Sequence, residues 1–397
     1  MSRFHLRHPL ALTLAFSLAC SSGTATTPPA PAAPVLPAGP TTLLTRLGAD
    51  TLVLEQYTRT ATHMDGIIIA RSPFTTISRY SVETAQNGAA TQATFSVTRG
   101  DGSAIAGALP LVVRYGADSV YFTNKRASGD TTRATVVKGE VLPYANNSYG
   151  LYELAIARMK TLGRDSADFT VVPLNFGART FNVFPVRTFP GDSARITWFS
   201  LPLVAHYDRK GGFQVVDASR TTVKVRADRV AGVDMAAMAK AWAAAEKTAG
   251  ALGLASTRDT VRATIGGAHL WIDYGRPALR GRTVWVNGVL GDTLWRAGAN
   301  AATQFRTDVD VNVGGTHVPP GTYTLWVAAT PSGYRLAINK QAGQWGTEYH
   351  AERDLARVAM RESAVAAPAE HFTITVSGGA LHMTWGTKQL SVPVTAR

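Results

Sequence analysis

Two acidic side chains stand one residue apart in TQFRTDVDVNV, residues 303 to 313. Alternation puts Phe305, Thr307, Val309, Val311 and Val313 on one face of a predicted strand, and Arg306, Asp308, Asp310 and Asn312 on the other. Asp308 and Asp310 would then lie about 7 Å apart, a separation that suits an inverting glycosidase, where water sits between a general acid and a general base. The same alternation also describes the solvated face of a half-exposed antiparallel strand. Other chemistry is sparse. His63, His206, His269, His317, His350, His371 and His382 are isolated from one another, with no H-E-x-x-H or H-x-x-x-H spacing. The pairs His63/Asp65 and His206/Asp208 have only two-residue offsets. No G-x-S-x-G elbow and no phosphate-cradling P-loop occurs, so neither a metal nor a cofactor is expected.

A second concentration of functional groups lies in DTLWRAGANAATQF, residues 292 to 305, where Trp295 and Arg296 precede a small-residue turn and Asn300 follows. The five donors of Arg296 can tie loop carbonyls together or grip a carboxylate. Trp295 can stack on a guanidinium such as Arg282, and Asn300 suits a tight turn. These residues make a structural corner; alternatively Tyr274, Arg276, Arg282, Trp295, Arg296 and Asn300 converge on a hollow as a ligand site for an anion or a carbohydrate. Six of the eight tryptophans (Trp271, Trp285, Trp295, Trp326, Trp345 and Trp385) fall in the last third of the chain, and any exposed indole there is a platform for a sugar ring.

The elements that must position these groups are mostly strands. Runs such as DTLVLEQYTRTA, GIIIARSP, ATQATFSVTR, RTFNVFPVRTF and RITWFSLPLVAHYD are rich in Val, Ile, Thr and aromatics, and Gly-containing turns separate them. One helix is predicted near 149–162, with Ser148 as its cap and Gly163 as its stop. A long antiparallel sheet curved like a half-barrel around that helix fits this order, and such a sheet can enclose an apolar cavity. A second helix begins after Asp234, carries Met235, Met238 and Trp242 on one stripe, and ends at Gly250; the stripe is expected to pack on the sheet. From residue 257 onward, closely spaced strands describe a β-sandwich or jelly roll. HAERDLARVAMRESAVAA has helix-forming composition, yet tertiary context is expected to make it a strand. The fold class is therefore all-β.

Composition sets the location. With 45% apolar and 17% charged residues, 36 Gly and 20 Pro, the chain is globular and turn-rich. Its formal charge of +13 is spread as single arginines along strands, with no basic block, which argues against nucleic acid and suits anionic lipid or an acidic polysaccharide. Cys20 is the sole cysteine, so no intrachain disulfide forms. MSRFHLRHPLALTLAFSLAC has a basic start and an apolar run too short to span a bilayer, ending at Cys20. It resembles a bacterial lipoprotein signal, although Ser17 stands where Leu is usual. That resemblance implies lipidation of Cys20 and anchoring in the cell envelope, on the periplasmic side or at the outer membrane. An ordinary secretory signal cut near Ala25 is the alternative. The expected organisation is a signal peptide (1–19), a Pro/Ala/Thr-rich tether (20–40), an antiparallel β domain (41–232), a helix and linker (233–256) and a sandwich (257–397).

The last third carries a further resemblance. Tyr274-x-Arg276-Pro277 with Gly281-Arg282, Trp295-Arg296-x-Gly298-x-Asn300-x-Ala302-Thr303, Pro320-Gly321-Thr322-Tyr323-x-Leu325, and Asn339 with Trp345-Gly346 and Tyr349 resemble, in order, the motifs of the bacterial domain of unknown function 2911. The resemblance implies an exported all-β domain without an established activity. It also implies a strand around Asp354 and Arg357. Ala301 stands where members often carry Glu, so no carboxylate chemistry carries over to that position. Together these readings describe a non-enzymatic envelope lipoprotein that binds an apolar, glycan or acidic small ligand or a partner protein. The alternatives are an envelope polysaccharide hydrolase using Asp308 and Asp310, and a structural surface module.

Overall fold

Alternating side chains turn the first two hundred residues into strands with one apolar face. In LVLEQY, Val53, Glu55 and Tyr57 point to one side and are buried, while Leu54 points to the other. The structure, a computed structural model, describes residues 39–175, 181–199, 201–221, 223–285 and 294–397. The expected signal segment, Cys20 and nearly all of the tether lie outside the described residues.

Eight strands form an antiparallel meander: β1 (Thr41–Leu47), β2 (Asp50–Arg59), β3 (His63–Ala70), β4 (Thr76–Thr84), β5 (Ala90–Arg99), β6 (Leu111–Tyr115), β7 (Ser119–Asn124) and β8 (Thr131–Val136). After β9 (Glu140–Tyr144) comes helix α1 (Tyr152–Thr161), a crossover that sets β10 (Ser166–Pro173) parallel to β9. A second meander follows: β11 (Val183–Phe189), β12 (Ser193–Trp198), β13 (Leu201–Tyr207), β14 (Phe213–Asp217) and β15 (Val225–Val230). β15 pairs with β1, so the two meanders merge into one sheet of fifteen described strands running from β8 to β9. The inward side chains of nearly every strand share one core with Tyr152, Ala155, Ile156 and Met159 of α1. A sheet this wide can bury one face on a single helix only by curling around it. Accordingly β5 and β9, far apart in strand order, come together, and Arg158 of α1 bonds Glu140 of β9 at 2.8 Å and the Asn87 carbonyl of the β4–β5 turn at 2.8 Å.

The curved sheet is expected from the sequence. α1 and large aromatics occupy much of its interior, leaving a hollow of about 100 Å³ beside Ser148 and Tyr152 and a larger one beside Arg59, Glu153 and Ile156. Two local expectations are corrected. Ser148 does not hold the cap position of α1, which falls to Leu151; its hydroxyl donates to Glu55 at 2.5 Å and accepts from the Leu151 amide at 3.4 Å. RITWFSLPLVAHYD is not one strand but the hairpin β12–β13, which reverses at Phe199 in a left-handed conformation.

Two buried carboxylates pin the helix. Glu55 accepts from the Tyr80 hydroxyl (2.8 Å), the Ser148 hydroxyl (2.5 Å) and the Tyr149 and Gly150 amides (2.7 and 2.9 Å) just ahead of α1. Glu153, in the first turn, accepts from the Tyr57 hydroxyl (2.5 Å) and the Phe213 amide (2.7 Å), and pairs with Arg59 at 3.2 Å. Burial pushes both carboxyls above the ordinary 4.5, while these donors and Arg59 pull them back.

Helix α2 (Met235–Ala249) covers the opposite face of β2 and β3: Met235, Ala239, Met238 and Trp242 pack on Leu54 and Ile69. Asp234 caps it through the Ala237 amide, as its position before the stripe predicts. The remaining strands are β16 (Ser256–Ile265), β17 (Ala268–Pro277), β18 (Leu294–Trp295), β19 (Thr303–Thr307), β20 (Val311–Val313), β21 (Thr316–Val318), β22 (Gly321–Thr330), β23 (Gly333–Asn339), β24 (Asp354–Ala359), β25 (Arg361–Ser377) and β26 (Ala380–Ala396). Strands β16, β17, β19, β22, β23 and β24, with β18 beside β22, form one sheet, and β21, β20, β26 and β25 form another. Leu270, Ile272, Phe305 and Leu325 of the first meet Val311, Phe372, Met383 and Val392 of the second in a common core, which makes a β-sandwich. The helix-like composition of residues 350–367 is overridden: a single 3₁₀ turn (Ala351–Arg353) leads into β24 and β25.

Glu55→Ala leaves two amides and two hydroxyls unanswered in the core, and is expected to destabilise folding by about 3–5 kcal/mol; urea denaturation followed by far-ultraviolet circular dichroism measures the loss.

Candidate functional site

The hairpin β16–β17 turns on Gly266 and Gly267, so residue pairs facing each other are fixed outward from that turn. Arg262 therefore stands opposite Trp271, Trp271 opposite Arg306 on β19, and Arg306 opposite Thr322 on β22. Their neighbours Leu270, Ile272 and Phe305 point into the sandwich core, which leaves this row on the outer face. Directly opposed side chains sit about 5 Å apart at Cβ. The row lines a hollow of about 740 Å³ together with Thr264, His269 and Asp308. Neither the Arg262 nor the Arg306 guanidinium bonds a partner among the described residues, and part of the Trp271 indole is open to solvent. Asp308 accepts from the His269 amide at 2.8 Å through one oxygen. Two free guanidiniums flanking an indole can grip carboxylates or phosphates while the ring stacks on a flat or sugar-like body.

The paired-carboxylate geometry expected of Asp308 and Asp310 is absent. TQFRTDVDVNV does not run as one strand: it leaves the first sheet after Thr307 and enters the second at Val311. The crossing interrupts the expected strand at the two acids, and Val309 is exposed at 40%. Asp308 is tied to His269, whereas Asp310 meets His317 across the β20–β21 hairpin at 2.5 Å.

The six candidate ligand residues divide between the core and a corner. Tyr274 and Trp295 are fully buried. Tyr274 accepts from the Ile374 amide at 3.1 Å and meets Phe372 edge-on; Trp295 donates to the Gly298 carbonyl at 2.8 Å and stacks on Trp385 with centroids 5.6 Å apart. Arg282 lies over Trp385, not over Trp295, and donates to the Leu279 and Ala278 carbonyls. Arg276 faces Asp259 at 3.9 Å and Thr373 at 3.4 Å. Arg296 donates to the Gly346 carbonyl at 3.1 Å, and its burial lowers its pKa to about 10. Asn300 adopts φ 64° and receives the Gly346 amide on its carbonyl at 3.0 Å. These contacts describe a corner in which side-chain donors satisfy loop carbonyls. Its glycines are required by close approach: a Cβ on Gly346 would overlap Arg296 Cδ, and one on Gly275 would overlap the Ala299 carbonyl.

Further motif residues are hydrogen-bonded to one another. Asp354 accepts from Asn339 (2.9 Å), Tyr349 (2.5 Å) and Arg357 (2.7 Å), and Tyr349 packs on buried Trp326. The two-residue offset at His63 is likewise occupied, with Asp65 at 2.5 Å on one ring nitrogen and Glu83 at 2.7 Å on the other; the Asp65 bond raises the imidazole pKa. Of the six late tryptophans, Trp345 is the most open at 48%. Sequence reading passed over Arg262 as the partner of Trp271, although the symmetry of the Gly266-Gly267 hairpin contains it. Glu55 and Glu153 were also passed over; their signal was an acid at an inward position of an otherwise apolar alternation, and an acid on the core side of a helix.

Gly346→Ala is expected to destabilise the protein by about 2–4 kcal/mol through overlap with Arg296, and Arg296→Ala by a comparable amount; thermal unfolding of each variant measures this.

A search of curated proteins returns no match. Among solved structures, a DUF1089 family protein from Pseudomonas aeruginosa is similar at 13% identity, over 42% of this chain and 90% of that one, with a TM-score of 0.33, a likeness too weak to bear on fold or function. Residues 256–394, which hold the whole sandwich row and the glycine-lined corner, match the family model DUF2911, described as a protein of unknown function.

Proposed function

We propose that this chain is a lipid-anchored protein of the bacterial cell envelope that binds an acidic glycan, without catalysis, across Arg262, Trp271, Arg306 and Thr322. The observation that carries the reading is the row itself: two guanidiniums with no partner among the described residues on either side of a partly open indole, in a hollow of about 740 Å³. Unpaired cations on a sheet face are complementary to carboxylate or phosphate groups, and an indole adds stacking that tolerates many sugars. The overall charge of +13 favours encounter with an anionic polymer. Lipidation at Cys20 is supported by the basic and apolar residues before it and the Pro/Ala/Thr-rich segment after it.

The hydrolase reading draws on Asp308, the one acid among the described residues that line the hollow. No second carboxylate lines the hollow among the described residues to complete a glycosidase pair, so binding is the better reading.

Polygalacturonate is expected to bind saturably, with affinity falling as salt rises, whereas dextran binds weakly. Trp271→Ala and the pair Arg262→Ala/Arg306→Ala each weaken polygalacturonate binding about tenfold or more, the arginine pair also flattening the salt dependence; equal binding of both polymers, or unchanged affinity in the variants, sinks the proposal. Separately, radiolabelled palmitate is expected to enter the chain expressed in a bacterial host and to be absent from Cys20→Ala, which moves from the membrane fraction to the soluble one.

A further inference from the structure

A second hollow, of about 290 Å³, opens on the curved sheet far along the chain from the sandwich row. Its floor is Arg59 at the end of β2, whose side chain is only 6% exposed. The Arg59 Nε lies 3.2 Å from Glu153 but makes no aligned hydrogen bond. Around it stand Lys160 in the last turn of α1, Arg164 just beyond that helix, and Arg209 and Lys210 in the β13–β14 turn. That turn is built to hold them: Asp208 accepts the Lys210 and Gly212 amides at 2.9 and 3.0 Å, and Arg229 fixes Asp208 at 2.9 Å. Gly211 there has φ 82° and approaches Arg59.

The charges do not cancel. Glu153 is committed to Tyr57, Phe213 and Arg59, and Asp208 to its turn and Arg229. Lys160, Arg164, Arg209 and Lys210 have no partner among the described residues, and against them stands one unbonded carboxylate, Asp192 at the rim. Ile156 contributes apolar surface to one wall, with Met159 buried behind it, and Tyr207 lines another.

We propose that this cleft is a binding site for a small phosphate monoester. A dianion answers several free cations at once, and guanidinium forks suit phosphate oxygens. The volume lies at the small end of ligand pockets, which leaves room for little more than the phosphate and one ring-sized substituent on the apolar wall. The role proposed is recognition alone. The site shares no residue with the sandwich row and stands or falls independently of it.

Phenyl phosphate titrated into the full chain by calorimetry is expected to bind one to one, and phenol not at all. Lys160→Ala/Arg164→Ala and Arg209→Ala/Lys210→Ala alter exposed side chains and should keep the thermal midpoint while weakening phenyl phosphate about tenfold each. Arg262→Ala/Arg306→Ala should leave this binding unchanged. No saturable binding to the full chain, wild-type affinity in both cleft variants, or loss of binding in the sandwich variant overturns the proposal.

Discussion

Two buried carboxylates, Glu55 and Glu153, decide how the amino-terminal half is arranged. Each is buried to about 1% exposure on the concave side of the sheet, where an unanswered charge is untenable. Glu55 collects the amides that lead into α1 and hydroxyls from a strand and a loop; Glu153 ties the first helical turn to β2 and to the start of β14. Apolar packing would hold a helix against a curved sheet in many rotations. Directional bonds to two fixed acceptors select one. With that rotation set, Arg158 reaches Glu140 and Asn87, and Lys160 is carried to the rim of the cleft above Arg59.

The sandwich is held by a different device, close backbone approach. Gly275 lies against Ala299, and Gly346 against Arg296 and Asn300, at positions where no Cβ fits. Around them the guanidiniums of Arg282 and Arg296 end on carbonyls of the same loops. The adjoining loop also meets the first sheet: the Ala49 amide donates to the Arg280 carbonyl at 3.1 Å, and Arg280 pairs with Asp50 at 2.9 Å. Most of the motif that resembles DUF2911 is thereby spent on shape. Of the outer row, only Thr322 belongs to those motifs; Arg262, Trp271 and Arg306 do not.

Arginine plays both parts in this chain, and burial with partners distinguishes them. Arg59, Arg158, Arg280 and Arg296 terminate on acids or carbonyls inside the protein. Arg164, Arg209, Arg262 and Arg306 line hollows without such partners. The unpaired cations among the described residues include a shallow row beside an indole and a narrow cleft over a buried ion pair, two shapes suited to ligands of different size.

Period-two alternation and Gly-centred turns made the strands, both helices and the all-β class legible from residues alone, because burial of one strand face is a local property of the pattern. The strand at residues 354–359 was legible against its own propensity only through the family resemblance. Where TQFRTDVDVNV breaks could not be read: alternation continues through Val309, and only the presence of two facing sheets makes the chain cross at Asp308 to Asp310. Arg282 was correctly placed against an indole but on the wrong one, since the register between β26 and the corner is a long-range property. Likewise Glu55 and Arg59 announce themselves as odd within a strand, yet whether such charges meet each other, a helix or water depends on residues nearly a hundred positions away. The sequence by itself determined which segments alternate, turn and bury; only the tertiary structure decided which charged groups were left without partners, because pairing across sheets is set by packing and not by spacing along the chain.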